Sequence, residues 1–328
     1  MNTPNSGIMK IGIQLTQNTD KYRALLTDIQ LEIQSEPKVE FVHITDESSL
    51  EIHLPVLDVL VCYRLSARSF PLVTQTLKWV HFGVAGIEHS LFPDLLKSDI
   101  ILTNARGIHA GPVSEYVLGA VLYFAKQFPN FQQFKIDRCW RQWNIARHMV
   151  QLRGKTAGII GYGCIGKAVT KRLSDLGMNI IAIQRHPENQ QILSPDRLYN
   201  LLVQSDVVVI TCPLTPETHG WIDAQAFKRM KSSAILINVS RGAIVAEDAL
   251  IHALESGGIA GAALDVFSTE PLPEDNPLFE LENVLLSPHV AGNFPEYQHD
   301  VAVQFGKNLN RFLKGDTLTN LVDKNLGY

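Results

Sequence analysis

One glycine-rich hexapeptide restricts the fold of this chain more than any other feature. GYGCIG occupies residues 161–166 and fits the pattern G-x-G-x-x-G. The apolar run from Thr156 to Ile160 precedes it and predicts a strand, and the spacing after Lys167 predicts a helix. A strand that passes into a helix through such a loop is typical of a dinucleotide-binding βαβ unit. We therefore predict a doubly wound parallel sheet here.

Each glycine of this loop has its own physical task. Gly161 permits a tight turn, Gly163 lets backbone amides approach a pyrophosphate, and Gly166 allows the helix to pack closely on the strand. Cys164 and Ile165 complete the loop at the helix N-terminus, where the helix dipole favours phosphate charge. A glycine-rich turn without a ligand is the alternative for a bare match, but the strand and the helix around this match favour a bound dinucleotide.

The end of the next predicted strand, Asn179 to Ile183, distinguishes NAD from NADP. In such folds an Asp or Glu about 20 residues on binds the ribose hydroxyls, and a nearby Arg accommodates a 2′-phosphate. Here Gln184 occupies the position of the acid, and Arg185 follows it. The two residues predict NADP as the preferred cofactor and leave NAD as the alternative, in which Arg185 and His186 are only a solvated strand end.

Apolar runs alternate with helical spacing along most of the chain, which predicts an α/β protein with two Rossmann-like lobes. Continuous Ile, Val and Leu runs are typical of parallel strands buried on both faces and covered by helices. The predicted strands are IGIQL, VEFVHI, VLDVLVCY, WVHFGV and DIILTN before residue 105, and TAGIIG, NIIAI, DVVVITC, AILINVS, IAGAALDVF and NVLLS after it. The predicted helices are Tyr22–Ile33, Leu72–Leu77, Pro112–Phe128, Lys167–Leu176, Glu247–Glu255 and Glu296–Leu313.

Composition argues against several classes of function. The 328 residues have a formal charge of -4, and Lys and Arg are scattered, so neither nucleic acid nor a membrane surface is an expected partner. Cys62, Cys139, Cys164 and Cys212 show no C-x-x-C spacing, which argues against a disulfide framework and a metal site. No apolar run approaches the ~20 residues of a membrane helix, and the first residues do not resemble a signal peptide. We expect a soluble, cytoplasmic protein.

Three polar residues follow late strands of the predicted cofactor sheet. They are Arg241 in INVSRG, Glu270 in VFSTEP and His289 in LSPHV. Since ligands bind at the carboxyl ends of strands in open α/β sheets, we expect the three side chains to converge. Arg binds a carboxylate bidentately, and His, with an ordinary pKa of ~6.5, is a suitable proton donor. The set suits hydride addition to a 2-oxo acid, with the carboxylate of Glu270 orienting the imidazole.

Longer stretches around these residues resemble the D-isomer-specific 2-hydroxyacid dehydrogenase family. The resemblance covers most of the chain from Leu102 onward and rests on TNARGIHAGPVSEYVLGAVL, LRGKTAGIIGYGCIGKAV, CPLTPETHGWI, the segment from INVSRGAIV to SPHVAG, and LTNLVDKNLGY. It implies that Arg241, Glu270 and His289 are the catalytic residues. It further implies that Asp265 holds the nicotinamide carboxamide and that the cofactor site is lined by Cys212, Pro213, Thr218, Val239 and Ser240. VAGIEH at 84–89 resembles the substrate loop, in which the amides of Ala85 and Gly86 assist Arg241 with the substrate carboxylate.

The resemblance also implies an architecture and an activity. We expect the cofactor domain, residues 105–293, to be inserted in a smaller flavodoxin-like substrate domain of residues 1–104 and 294–328, and the protein to be a homodimer. The expected reaction is reduction of a small 2-oxo acid of the glyoxylate or hydroxypyruvate type to a D-2-hydroxy acid. The alternatives are a phosphoglycerate dehydrogenase-like enzyme, although no regulatory domain follows Tyr328, and a corepressor-like NAD(P)H sensor, although the chain has no long tail.

Several other residues have no single role that the sequence predicts. Glu88 stands where the family usually has Asp, and we attach no interpretation to the change. Arg64 follows a first-lobe strand and fits either a substrate contact or a solvated strand end. His109 lies between the lobes and is more often structural in such a place. Trp140 and Trp143 are expected in packing or dimer contacts, since Trp buries a large area.

Overall fold

The structure is a computed structural model, and it describes residues 8–34, 38–187, 189 and 192–327. Within these residues the strands are β1 Met9–Gln14, β2 Val39–His43, β3 Val59–Cys62, β4 Trp79–Phe82, β5 Ile101–Asn104, β6 Thr156–Ile160, β7 Asn179–Ile183, β8 Ile192–Leu193, β9 Val207–Ile210, β10 Ile235–Asn238, β11 Gly261–Leu264 and β12 Val284–Leu286. The α-helices are α1 Thr19–Leu31, α2 Glu47–His53, α3 Pro93–Lys97, α4 Ala110–Ala125, α5 Phe128–Asp137, α6 Gln142–Ala146, α7 Cys164–Asp175, α8 Leu198–Gln204, α9 Ala224–Arg229, α10 Glu247–Glu255 and α11 Tyr297–Lys314.

The chain divides into two compact units. The first contains the residues up to Ile108 and those from Phe294 onward, and the second is the continuous stretch His109–Asn293. The second unit is therefore inserted in the sequence of the first.

The first unit is built on a parallel sheet with the strand order β2-β1-β3-β4-β5. This is the order of flavodoxin-like folds. The central strands β3 and β4 are buried along their whole length, as expected for strands covered by helices on both faces. The flavodoxin-like part of the predicted fold is confirmed.

Helix α11 closes the first unit by packing on α1. An added Cβ at Gly306 of α11 would lie 2.9 Å from the carbonyl oxygen of Ile29, so the two helix backbones approach closely there. The ring centroids of Phe305 and Trp79 are 5.0 Å apart with the rings tilted by 30°, and both side chains are fully buried. Beyond the helix, Leu321 pairs antiparallel with Thr103, next to β5.

The second unit contains a parallel sheet with the order β12-β11-β10-β9-β6-β7-β8. The strand order reverses beside β6, which pairs with both β7 and β9. In register, Ile160 lies opposite Ile183 and Ile210. The residues that follow these three strands consequently share one carboxyl edge, which is where doubly wound folds bind their ligands. The predicted α/β class with a doubly wound sheet is confirmed.

The predicted helix bounds differ from the observed ones by up to three residues, and one predicted helix does not form. The helix predicted over Pro112–Phe128 begins at Ala110 and ends at Ala125, because Gln127 adopts a left-handed conformation at φ 59° and α5 starts anew with a proline in its first turn. The helix predicted over Leu72–Leu77 is wrong. The chain there is irregular, since the hydroxyl of Thr74 donates to the carbonyl of Pro55 instead of supporting a helical turn.

Candidate active site

The glycine-rich loop joins β6 to α7 with an open backbone surface. Gly161 has φ 104°, and an added Cβ there would lie 2.4 Å from the backbone nitrogen of Cys212. An added Cβ at Gly166 would lie 2.1 Å from the carbonyl oxygen of Gly161. At Gly163, by contrast, no atom of the described residues outside its immediate neighbours lies within 4 Å of an added Cβ. The first and third glycines are required by packing, and the second keeps space open in front of the loop.

Helix α7 begins three residues earlier than predicted, at Cys164, with Gly163 as its N-cap. No side chain caps this end, so the first amides of the helix around Cys164 and Ile165 are not satisfied by a capping side chain. An uncapped helix N-terminus beside an open glycine is a favourable place for phosphate charge. The residues present therefore fit a dinucleotide.

At the end of β7, Arg185 lies near an acidic residue that the sequence did not single out. One guanidinium nitrogen of Arg185 is 3.9 Å from Oε1 of Glu217, and both side chains are largely exposed. Hydrogen bonding from Thr215, together with the charge of Arg185, lowers the pKa of Glu217. Gln184 is held at its backbone, where its amide donates to Leu193 at 3.0 Å. Glu217 lies far from Arg185 in sequence, so no local pattern predicts the pair.

The loops after β9 and β10 form a linked wall beside the glycine-rich loop. The Ser240 hydroxyl donates to the carbonyl of Cys212, and the Thr218 hydroxyl donates to the carbonyl of Pro213 at 2.8 Å. The amide of Val239 donates to Ile210 at 3.4 Å. Burial raises the pKa of the Cys212 thiol to about 12, so it is an unreactive wall residue.

The structure brings the three predicted catalytic side chains together. Nδ1 of His289 is 2.8 Å from Oε2 of Glu270, and Oε1 of Glu270 accepts from the amide of Phe267 at 3.0 Å. Arg241 donates to the carbonyl of Ser240 at 2.7 Å. Partial burial alone would raise the pKa of Glu270, but the hydrogen bonds from His289 and Phe267 and the charge of Arg241 outweigh it and lower the pKa. Glu270 is therefore ionised beside the imidazole.

A second histidine, His109, lies close to this group. An added Cβ at Gly292 would be 2.7 Å from Cδ2 of His109, so the ring packs against the turn that follows His289. Burial lowers the pKa of His109, and the charges of Arg241 and His289 lower it further. His109 is consequently neutral near neutral pH. The sequence placed it only between two lobes, and no motif there indicates its proximity to the site.

Asp265 has contacts that its predicted role does not account for. Its carboxylate is buried and accepts hydrogen bonds from the Ser287 hydroxyl at 2.5 Å and from the amides of Val290 and Ala291 at 2.9 Å each. These oxygens face the turn that contains His289. Any contact with a nicotinamide carboxamide would share them with the protein's own donors.

In the first unit, the loop at Ala85 and Gly86 is anchored through its carbonyls. Asn104 donates to the carbonyl of Ala85 at 2.8 Å, and the amide of Ala105 donates to Val84 at 3.1 Å. Within the described ranges, the amides of Ala85 and Gly86 have no hydrogen-bond acceptor. Arg64 and Glu88 are exposed. Across the same ranges, no three His, Cys, Asp or Glu side chains cluster in an arrangement suited to a metal ion.

The fold and the site define a class of protein: a dinucleotide-binding α/β oxidoreductase with an acid-paired histidine and an arginine at one sheet edge. Residues 118–291 match the model for the D-isomer specific 2-hydroxyacid dehydrogenase NAD binding domain. The chain belongs to the D-isomer specific 2-hydroxyacid dehydrogenase family and is a nicotinamide-dependent enzyme, as the sequence motifs predicted. In the described residues, no helix has the length and hydrophobicity of a membrane span.

Relatives resemble the chain over most of its length. A glyoxylate reductase of Thermofilum pendens is 35% identical over 257 residues, which are 76% of this chain and 75% of that protein. A solved family member from Aeromonas salmonicida is 30% identical, with a TM-score of 0.81 over 97% of this chain and 100% of the other. The NADPH-dependent glyoxylate/hydroxypyruvate reductase of Sinorhizobium meliloti, solved with NADP and sulfate, is 25% identical, with a TM-score of 0.83 over 98% and 100%.

Proposed function

We propose that this enzyme reduces a small 2-oxo acid of the glyoxylate or hydroxypyruvate type to the D-2-hydroxy acid. The observation that carries the proposal is the 2.8 Å contact between Nδ1 of His289 and the ionised Glu270, with Arg241 close by. The substrate class is supported by the names of the relatives in Thermofilum pendens and Sinorhizobium meliloti.

The catalytic residues divide the work as follows. Arg241 binds the substrate carboxylate and polarises the carbonyl through its planar guanidinium. Because Nδ1 of His289 is directed at Glu270, Nε2 is left to face substrate, and it donates the proton that the carbonyl oxygen needs as it becomes a hydroxyl. Glu270 fixes the orientation of the imidazole through its contact with Nδ1. His109, which is neutral, adds no positive charge that would compete with His289.

The dinucleotide is proposed to lie along the carboxyl edge of the second unit's sheet. Its pyrophosphate is assigned to the loop Gly161, Gly163, Cys164, Ile165 and Gly166, and its ribose to Gln184 and Arg185. The wall formed by Cys212, Pro213, Thr218, Val239 and Ser240, with Asp265 beyond it, is assigned to the nicotinamide end. When bound, the nicotinamide supplies the hydride.

We assign NADP as the preferred cofactor and NAD as the second. No carboxylate stands at Gln184 to repel a 2′-phosphate, and Arg185 follows with a guanidinium suited to bind one. Glu217, 3.9 Å from Arg185, works against this preference. The solved reductase of Sinorhizobium meliloti is described as NADPH-dependent, which agrees with the proposal.

The remaining assignments are also proposals. Residues 105–293 are taken as the cofactor domain, and residues 1–104 with 294–328 as the substrate domain, where the amides of Ala85 and Gly86 hold the substrate carboxylate. We propose a homodimer. A cytoplasmic location is supported by the four cysteines, which are all free thiols in the structure.

The test is steady-state turnover of NADPH and NADH with glyoxylate, hydroxypyruvate, pyruvate and 3-phosphohydroxypyruvate, followed by chiral analysis of the products of the last three, since glycolate is achiral. We expect glyoxylate and hydroxypyruvate to be reduced best. His289→Ala should lower kcat by about 10²- to 10⁴-fold, whereas Arg241→Ala should also raise KM. His252→Ala, an exposed histidine on α10, is the control and should behave as wild type.

Two results would contradict the proposal. Dinucleotide binding without turnover of any 2-oxo acid would favour the sensor alternative, and selective turnover of 3-phosphohydroxypyruvate would favour the phosphoglycerate dehydrogenase alternative. Near-normal turnover by His289→Ala between about pH 6 and pH 8 would exclude this histidine as the proton donor.

A further inference from the structure

We propose that Tyr116 and Ser287 are positioning residues for His289 that act through the buried carboxylate of Asp265. The inference rests on the proposed function for its kinetic consequence, but the geometry stands by itself. Ser287 lies 2.5 Å from Asp265, and the Tyr116 hydroxyl lies 2.8 Å from the Ser287 hydroxyl. Asp265 is 2% exposed, so its buried oxygens depend on the hydrogen bonds that the protein donates to them.

The direction of these hydrogen bonds follows from the chemistry of the groups. An ionised carboxylate only accepts, so the single proton of the Ser287 hydroxyl is used on Oδ1 of Asp265. The Tyr116 hydroxyl must then be the donor to Ser287. Burial raises the pKa of Tyr116, which keeps this proton in place. The result is a one-way chain of donors from α4 through Ser287 to Asp265.

The Asp265 residue in turn holds the turn that carries His289. Its carboxylate accepts from the amides of Val290 and Ala291, and its carbonyl accepts from the amide of His289 at 2.8 Å. Three consecutive amides are thus bound to one residue. This arrangement fixes the turn both at the imidazole-bearing residue and at the two residues after it.

His289 needs such support because its backbone is in the left-handed region, at φ 53°. A non-glycine residue in this conformation is strained and stays there only when the surroundings hold it. If the hydrogen bonds between Asp265 and this turn weaken, the imidazole ring shifts relative to Glu270, whose Oε2 is 2.8 Å from Nδ1 of His289. Tyr116 and Ser287 therefore set the orientation of the imidazole without touching it.

The experiment compares Tyr116→Phe and Ser287→Ala with two matched variants. Tyr123→Phe removes the same atom from the same helix, α4, where the hydroxyl has no hydrogen bond within the described ranges. Ser287→Thr keeps the hydroxyl. We expect Tyr116→Phe and Ser287→Ala to lower kcat roughly tenfold with little change in cofactor KM. A 1 Å misplacement of a reacting group costs on the order of 10²-fold, and the loss of one indirect hydrogen bond should displace the imidazole by less than that. Ser287→Thr should recover most of the loss.

A second readout does not depend on turnover. The imidazole ¹⁵N resonances of His289, assigned by comparison with His289→Ala, should shift in Tyr116→Phe and remain unchanged in Tyr123→Phe. Resonances and kcat that are the same in both tyrosine variants would overturn the inference. If the wild type reduces none of the 2-oxo acids but Tyr116→Phe still shifts the His289 resonances, the proposed function is rejected. The positioning role of Tyr116 and Ser287 is then retained.

Discussion

Glu217 is the residue whose charge bears most directly on cofactor choice. Its carboxylate lies 3.9 Å from Arg185, and hydrogen bonding from Thr215 favours its ionised form. An acid so placed repels a 2′-phosphate and competes for the guanidinium that would bind it. Both side chains are largely exposed, so the opposition is modest.

We predict that Glu217→Gln increases the preference for NADPH. Removing the carboxylate charge leaves Arg185 more available to a 2′-phosphate, but exposed pairs of this kind interact weakly because water screens them. The ratio of kcat/KM for NADPH to that for NADH should therefore rise, but by no more than about fivefold. Steady-state kinetics with both cofactors measures the ratio.

Glu255→Gln, an exposed glutamate at the end of α10, is the control for net charge and should leave the ratio unchanged. Added salt should shrink the difference between the Glu217 variant and wild type, because exposed charges are screened. A wild type that uses NADH as well as NADPH would mean that the NADP assignment is wrong.

The residues of the site differ in how far sequence could predict them. Arg241, Glu270 and His289 follow consecutive strand ends, and parallel strands place such residues at one edge. His109 and Glu217 reach the site through the packing of loops far apart in the sequence, and no periodicity encodes that packing. The left-handed backbone of His289 is likewise set by tertiary hydrogen bonds rather than by local preference.

At the scale of elements, α1 and α11 are joined at their exposed side by an ion pair. Nδ1 of His299 lies 2.9 Å from Oδ2 of Asp28. The hydrogen bond that His299 donates to the Asp28 carboxylate is the main cause that raises the pKa of His299 above 6.5. A histidine whose pKa is raised in the folded state stabilises that state below its unfolded pKa, and this stabilisation is lost as the pH rises through the folded pKa.

We predict that wild type is more stable than His299→Gln at pH 5.5 and that this difference nearly disappears by pH 8.5. The difference at low pH should be no more than about 0.2 to 1 kcal/mol, because the imidazole is exposed to solvent. Urea unfolding at the two pH values measures it. Asp28→Asn should lower the titration midpoint of His299 in an NMR titration, and an unchanged midpoint would contradict the assigned cause.

Strands were easier to predict than helix ends in this chain. Continuous apolar runs such as Val207–Ile210 indicate strands that are buried on both faces of a parallel sheet. The two-residue strand Ile192–Leu193 carries no pattern of its own and exists because β7 offers it a pairing edge. The end of α4 depends on the left-handed Gln127, which hydrophobic spacing does not reveal.

At the scale of the whole molecule, an apolar surface in the segment 128–150 is consistent with the proposed homodimer. Trp140 and Trp143 are 79% and 76% exposed, and Ile136 is 72% exposed. Exposed aromatic groups of this size are typical of protein interfaces, and a second copy of the chain is the commonest partner in soluble oligomers. The family resemblance also implies a dimer.

We predict that Trp140→Glu combined with Trp143→Glu converts a dimer into a monomer. Two charges in an apolar contact would be left without partners, and burying them is strongly unfavourable. Light scattering coupled to size-exclusion chromatography gives the mass. Ile52→Glu, which adds a charge at an exposed apolar position on α2, should remain dimeric. A monomeric wild type, or a dimeric double variant, would contradict this placement of the interface.

The packing of α11 on α1 determines the order in which the two units can complete their folding during translation. Helix α1 is translated early, yet its partner lies beyond the inserted unit His109–Asn293. At ~5 to 20 residues per second, that insertion takes roughly 9 to 37 s to translate. At the end of this interval α11 is still missing from the first unit, so Ile29 lacks this partner, whereas the inserted unit has its full complement of strands. The emerging chain therefore completes its middle before its beginning, and early apolar surface is a natural binding site for chaperones.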